Sequence, residues 1–263
     1  YWLERPLGYR EFRLDRLGIG ELANYRHPVA AGIFHGAIAT WAFGAAVNKK
    51  SSFRAAILWF SVFSILALFV FFTYSRAAWI GLACALAVST FLHKTKRAKY
   101  SLVLGVIIVS LAAFIWANYL MMELFHRKLS GRGPIWEYYF SIMPGHWLWG
   151  YGLGTPFEYH WPDPSIVSPH AHSLYLQQVY DSGIVSLALL GSGLLTLIRK
   201  SWKLRNNYWV RLAFPALVFS LVAMLTDVER IFTRPGDYWT VFWLPVAILL
   251  AIPKNSKDEP KID

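Results

Sequence analysis

Charged residues are scarce in this chain, at 16% of 263 residues, while 56% are hydrophobic. A soluble domain carries about 25% charged residues. A chain this poor in charge cannot cover a folded surface with ionic groups, which argues against a soluble globular class and for burial in a lipid bilayer. Cysteine is nearly missing. The single one, Cys84, lies inside an apolar run. It excludes an intramolecular disulfide and any cysteine-based metal finger, and reads as a small membrane-buried hydrophobe. Acids are few, 15 against 26 Lys and Arg, for a net charge of +11. In a soluble protein that excess would suggest a nucleic-acid partner. Here its placement along the chain reads as an orientation signal, and no nucleic acid is expected. There is no HExxH-type spacing, no internal repeat and no low-complexity tract. The chain starts at Tyr1, and residues 1–26 are polar with no signal-peptide pattern. It is therefore expected to be a fragment.

What is present is a series of apolar runs. Candidate spans fall at 27–47, 55–72, 76–92, 101–120, 173–198, 212–228 and 238–252. Each is near the ~20 residues that cross ~30 Å of hydrocarbon. The expected fold is an all-α polytopic helical bundle with about seven transmembrane helices and one large outer loop containing short helices. The connections give the orientation. Lys49, Lys50 and Arg54 form one basic cluster, and Lys94, Lys96, Arg97 and Lys99 a second. Arg199, Lys200, Lys203, Arg205 and Arg211 form a third, and Lys254, Lys257 and Lys261 a fourth. All four fall on one side if every span is real, and the positive-inside rule makes that side cytoplasmic. Of the acids, only Asp258, Glu259 and Asp263 share it. The expected division is an outer segment 1–26, helices over 27–120, an outer loop 121–172, helices over 173–252 and a cytoplasmic tail 253–263.

The outer loop is too long and too aromatic to be a linker. Residues 134–143 (PIWEYYFSIM) read as a short amphipathic helix with Pro134 in its first turn, lying in the membrane interface. Its aromatics suit an interfacial belt, or stacking on sugar rings or lipid head groups. Gly150-Tyr151-Gly152-Leu153-Gly154 has two lookalikes. A potassium filter needs Thr-Val before it, where this chain has Trp147-Leu148-Trp149. A dinucleotide fingerprint needs a strand–helix context that is not predicted. The run reads as a glycine turn that brings backbone close to a ligand or to the membrane.

Several residues carry chemistry. Arg76 sits at the outer mouth of the third span, followed by small residues, and either snorkels to the interface or meets a phosphate with its planar fork. Arg132 is flanked by Gly131 and Gly133, which let backbone amides approach a ligand, and its alternative is a solvated loop arginine. His170 and His172 precede the fifth span. Spacing of two does not put both on one helical face, and His172 is expected to open the helix. A metal reading would add His146, His160, Glu158 or Asp163, but without a diagnostic spacing. A general base or hydrogen-bond donor fits an interfacial imidazole better. Asp181 lies further along the same span and should face a cavity or the bundle interior. Arg230 and Arg234 add two cations, with Glu229 and Asp237 as the nearby pairing partners.

Together these strings resemble a family. Gly131-Arg132, Trp136, Pro144, the Gly150-x-Gly152-x-Gly154 run, His172-Ser173 and Gly183 follow the pattern of the O-antigen ligase and O-antigen polymerase superfamily. Tyr74-Ser75-Arg76-Ala77-Ala78-Trp79 resembles its Ser-Arg-small motif. The resemblance covers roughly 74–195. Ser173 stands where the family often has Asn, and Gly183-Ile184-Val185-Ser186 where it commonly has Gly-x-x-Gly. The resemblance implies a metal-independent, cofactor-free glycosyl transfer on the periplasmic face of the bacterial inner membrane, as in lipopolysaccharide biosynthesis. The donor would be a glycan on undecaprenyl pyrophosphate. The acceptor in a ligase is a sugar hydroxyl of lipid A-core, and polymerases or protein-glycosylating relatives use other acceptors. On this reading His172, Arg132 and Arg76 are catalytic, and His170, Arg230, Arg234, Gly152, Gly154 and Trp136 bind substrate. A rival of another class is a transporter whose outer loop only binds ligand.

Overall fold

A computed structural model describes residues 13–14, 25, 27–117, 121, 131–163, 165–228, 230–232 and 237–253. The described residues are mostly helical. α1 spans Pro28–Val47, α2 Phe53–Phe72, α3 Arg76–His93 and α4 Lys96–Ile115. The short α5 spans Arg132–Ile142, and two two-residue strands, β1 (Tyr159–His160) and β2 (Val167–Ser168), pair antiparallel. α6 spans Leu174–Lys203, α7 Tyr208–Ala223 and α8 Asp237–Ala251. Five of these, α1 to α4 and α6, are long and apolar enough to cross a membrane, and α7 and α8 are shorter apolar helices. The protein is a polytopic helical membrane protein.

Contacts divide it into two compact units. The first comprises 1–95, 200–223 and 234–263, and the second 96–199 and 224–233. In the first unit α1 is the central helix and packs on α2, α3, α7 and α8. Small residues make this close approach possible, since lipid supplies no hydrophobic drive between helices. A Cβ on Gly36 would meet the Phe219 ring at 2.6 Å. The α2–α3 turn forms as the sequence predicts: Tyr74 takes φ 50, and the Ser75 hydroxyl accepts from the Ala78 amide at the start of α3.

Three helices depart most from the sequence reading. α4 starts at Lys96, within the basic cluster, rather than at 101. α7 starts at Tyr208, where Asn207 Oδ1 accepts from the Trp209 amide at 2.9 Å, and ends at Ala223 rather than 228. The third difference matters most. The run expected as one span over 173–198 breaks at Gly183, whose φ 74 and ψ 174 are not helical. The break leaves the Tyr180 and Asp181 carbonyls and the Ile184 amide without helical partners, and the outer loop supplies them. Tyr151 N donates to Tyr180 O at 2.7 Å, Gly152 N to Asp181 O at 3.1 Å, and Ile184 N to Trp147 O at 2.8 Å. Such backbone-to-backbone seating needs glycine on both sides. A Cβ on Gly150 would lie 2.5 Å from Tyr180 O, and one on Gly183 only 1.9 Å from Leu148 O.

The loop is therefore a packed body. Ile135, Tyr139, Met143, Phe157, Ala171, Val179 and Tyr180 form its buried core. The His146, Tyr151 and Tyr180 rings stack in series, at centroid distances of 3.9 and 4.7 Å. Several aromatics expected as an interfacial belt are core residues of this body.

Candidate functional site

The site is assembled in the second unit from three stretches of chain. α5 provides the first. Gly131, at φ 79, turns the chain so that Arg132 opens the helix, and Trp136 follows one turn later. Arg132 Nη2 donates to Asp227 Oδ2 at 2.8 Å. Trp136 Nε1 donates to the Ala171 carbonyl at 2.9 Å, which pins the segment that carries both histidines.

That segment is the second stretch. The helix does not begin at His172 but at Leu174, and His172 takes a left-handed φ of 50. This conformation lets the His172 amide donate to His170 Nδ1 at 3.2 Å and brings the two rings to 4.1 Å between centroids. Spacing of two thus yields a facing pair through a non-helical backbone. Burial, and after it the charge of His172, pushes the His170 pKa down to about 4; Asp227 pulls it up, and Arg230 and Arg132 lower it by less than that. His170 is therefore neutral at physiological pH. With Nδ1 accepting, its proton sits on Nε2. His172 points Nδ1 at Asp227 Oδ1, 3.9 Å away, and its side chain is 30% exposed. One carboxylate thus faces Arg132 with one oxygen and His172 with the other.

The third stretch is the outer end of α6 with the chain after α7. Asp181 is buried, and Arg230 grips it with two bonds, Nε to Oδ2 at 2.6 Å and Nη2 to Oδ1 at 2.9 Å. Gln177, one turn before Asp181, donates from Nε2 to Asp181 Oδ1 at 2.9 Å and accepts from the Ala171 amide at 3.0 Å. A continuous chain of hydrogen bonds therefore runs from Trp136 through Ala171, Gln177 and Asp181 to Arg230. The Leu174 amide donates to Met224 O at 3.1 Å and ties α6 to the segment that carries Asp227. The Tyr139 hydroxyl is fully buried and has no hydrogen-bond partner among the described residues. Burial, and secondarily the charge of Asp181, raises its pKa well above the usual phenol range.

Of the residues singled out from sequence, Arg132, Trp136, His170, His172 and Arg230 come together here. Arg76 opens α3 in the first unit. Arg234 lies outside the described residues, as does Glu229. A partner of Arg230 is Asp181, 49 positions away. Gly152 donates its amide to Asp181 O, while a Cβ on Gly154 would meet nothing within 4 Å. The glycine run thus seats loop backbone on helix backbone. Among the described residues no three His, Cys, Asp or Glu side chains are grouped to hold a metal ion. His160 instead makes an exposed pair with Glu158, and His146 stacks on Tyr151. Sequence reasoning missed Asp227, Gln177 and Tyr139. The polar stripe Gln177, Gln178 and Asp181 in an otherwise apolar helix was the available signal for Gln177.

Two comparisons with known proteins bear on this arrangement. The model of the family described as O-Antigen ligase matches residues 61–191. That stretch holds Arg76, Arg132, Trp136, both histidines and Asp181, and stops short of Asp227 and Arg230. An O-antigen ligase of Pseudomonas aeruginosa is 28% identical over 181 residues, which is 68% of this chain and 44% of that protein. The chain thus spans less than half the length of this curated relative. No solved structure matches it. With this family match, this relative and helices apolar enough to cross a membrane, the chain belongs to the O-antigen ligase and polymerase superfamily.

Proposed function

We propose that the protein is an O-antigen ligase, which transfers a glycan from undecaprenyl pyrophosphate to a sugar hydroxyl of lipid A-core on the periplasmic face of the inner membrane. The observation that carries this reading is the cluster of Arg132, His172 and Asp227 with Arg230 and Asp181 within 2.6–3.9 Å contacts, all in one compact unit. In the reaction the acceptor hydroxyl oxygen bonds to the anomeric carbon, the bond from that carbon to the phosphate oxygen breaks, and undecaprenyl diphosphate leaves. The hydroxyl proton goes to His172 Nε2, because Nδ1 faces Asp227. Asp227 orients the ring and stabilises the imidazolium that forms. His170, held neutral, adds no cation that would disfavour this protonation.

Negative charge grows on the leaving diphosphate. A guanidinium presents five N–H donors, more than one carboxylate engages, so Arg132 and Arg230 can meet the phosphates while held in place by their aspartates. They take the role that a divalent cation has in other transferases. Arg76 and Arg234 are further candidates for the same charge, and Trp136 for supporting the donor glycan. The basic clusters beside the spans support the orientation, with the loop body on the non-cytoplasmic side.

The test is a transfer assay in nanodiscs with undecaprenyl-pyrophosphate glycan, lipid A-core and EDTA. Wild type should transfer, and His172→Ala, Arg132→Ala and Asp227→Asn should each fall by ~100-fold or more in kcat, by analogy with the loss of one preorganised electrostatic contact. Activity abolished by EDTA would overturn the metal-free part. Silence with lipid A-core, but transfer to a second lipid-linked glycan, would replace the ligase with a polymerase.

A further inference from the structure

The loop body hides most of its aromatics but leaves one group outside. Trp149 is 73% exposed, Leu148 60% and Phe140 52%, with Trp147 partly exposed beside Phe140 at 6.1 Å between centroids. From Tyr138 to Phe157 the chain carries no Asp, Glu, Lys or Arg. An uncharged apolar patch of this kind marks a contact surface. Its position in the fold says which. The Trp147 carbonyl accepts from the Ile184 amide, so the patch is fixed to α6 just beyond its break. From Ile184 to Lys203 the helix is uninterrupted and its basic residues, Arg199, Lys200 and Lys203, lie at the far end. At 1.5 Å per residue that stretch covers about 30 Å, one hydrocarbon thickness when the long basic side chains of its last turn reach out to the interface. Ile184 therefore marks the hydrocarbon edge opposite the basic end. Ile184, Leu189 and Leu195 on this stretch are exposed as well.

We propose that the knuckle Trp147–Leu148–Trp149 inserts into the hydrocarbon edge of that leaflet and sets the height of the site above the bilayer. Asp181 stands two residues before the break, on the watery side of it. The bidentate Asp181–Arg230 pair then lies at the depth of the lipid phosphates rather than in mid-hydrocarbon. That is the depth of a diphosphate carried on a membrane-embedded chain. The occupant of the patch is the bilayer itself, because the patch is bonded to Ile184, where the exposed apolar stretch of a membrane-crossing helix begins. Indole rings are favoured at this depth. The insertion rests only on α6 crossing the membrane and holds whether or not the transfer reaction does.

The test is site-directed spin labelling of the full chain in liposomes, with single labels at positions 148 and 149 and an aqueous reference at 158, where the Glu158 side chain is 58% exposed. Relaxation by oxygen, which concentrates in hydrocarbon, is compared with relaxation by a water-soluble nickel complex. Labels at 148 and 149 should favour oxygen several-fold relative to 158. A ratio equal to that at 158 would overturn the insertion. Shielding from both reagents would also overturn it, because it would mean that protein rather than lipid covers the patch. As a second variant, Trp149→Glu at this exposed position should leave unfolding in detergent unchanged and raise nickel access at 148. No rise at 148 would count against the proposal.

Discussion

Replacing Gly183 with alanine attacks the joint that holds the loop body on α6. The added Cβ would lie 1.9 Å from Leu148 O, 2.2 Å from its carbonyl carbon and 2.4 Å from Trp149 N. These are backbone atoms, so no rotamer change relieves the overlap. The φ and ψ of this residue, 74 and 174, also belong to a region almost closed to side chains, at a cost of about 1–3 kcal/mol. To make room, residues 147–152 must lift from the helix and give up the three backbone bonds to Tyr180, Asp181 and Ile184. At about 0.5–1.5 kcal/mol each these contribute roughly 1.5–4.5 kcal/mol. The sum, roughly 3–7 kcal/mol, is on the scale of a whole domain's stability. Gly154→Ala is the control. Its φ of 97 is strained in the same way, but nothing lies within 4 Å of its Cβ, so only the strain remains. Unfolding of both variants in one detergent should place Gly183→Ala far below Gly154→Ala, with Gly150→Ala beside the former. Equal losses at 183 and 154 would refute the joint, because they would show that backbone strain alone, and not seating, sets the cost.

The remaining expectations concern the buried polar groups. Asp181→Ala or Arg230→Ala should each cost about 3–5 kcal/mol in unfolding, because each leaves a desolvated charge behind, and the double variant should recover part of that loss in a thermodynamic cycle. Tyr139→Phe removes a buried hydroxyl with no hydrogen-bond partner among the described residues and should be neutral or stabilising by about 1 kcal/mol in the same assay. The folded pKa of His170 is depressed from 6.5 to about 4, so the unfolded ring takes up its proton first as pH falls. The stability that comes from keeping it neutral is complete above pH 6.5 and is lost progressively down to about 4. His170→Asn should flatten that part of the pH–stability curve, and an unchanged curve would contradict the burial of a neutral ring.

The spans were legible because lipid demands long apolar runs and the basic clusters mark one set of their ends. The break in α6 was not. Gly183 in an apolar run looks like a packing residue, and its φ is dictated by Leu148 and Trp149, more than thirty positions earlier. The glycine run 150–154 was legible as a close-approach device, but its target was not, because backbone has no sequence signature. Arg132 stood out as a charged group between glycines, and His172 as the second of two titratable rings that follow Pro169. Asp227 did not, because its importance comes from a partner 95 positions away and from a histidine on yet another stretch. The pairing of Arg230 shows the same limit. Asp181, a carboxylate that could not remain buried alone, is gripped in bidentate fashion from 49 positions away.

This pairing bears on how the proposed transfer would turn over. Two bare arginines would hold a diphosphate as tightly after the reaction as during it, and product release would suffer. With each arginine facing an aspartate, the two Arg and two Asp charges cancel in the resting site. Attraction for the substrate's ground-state charge is thereby reduced. What remains is a set of oriented N–H dipoles whose interaction strengthens as charge develops on the leaving oxygen, and only such a difference lowers a barrier. The carboxylates that sequence reasoning passed over would then be the groups that make the arginines selective for the transition state instead of for diphosphate itself.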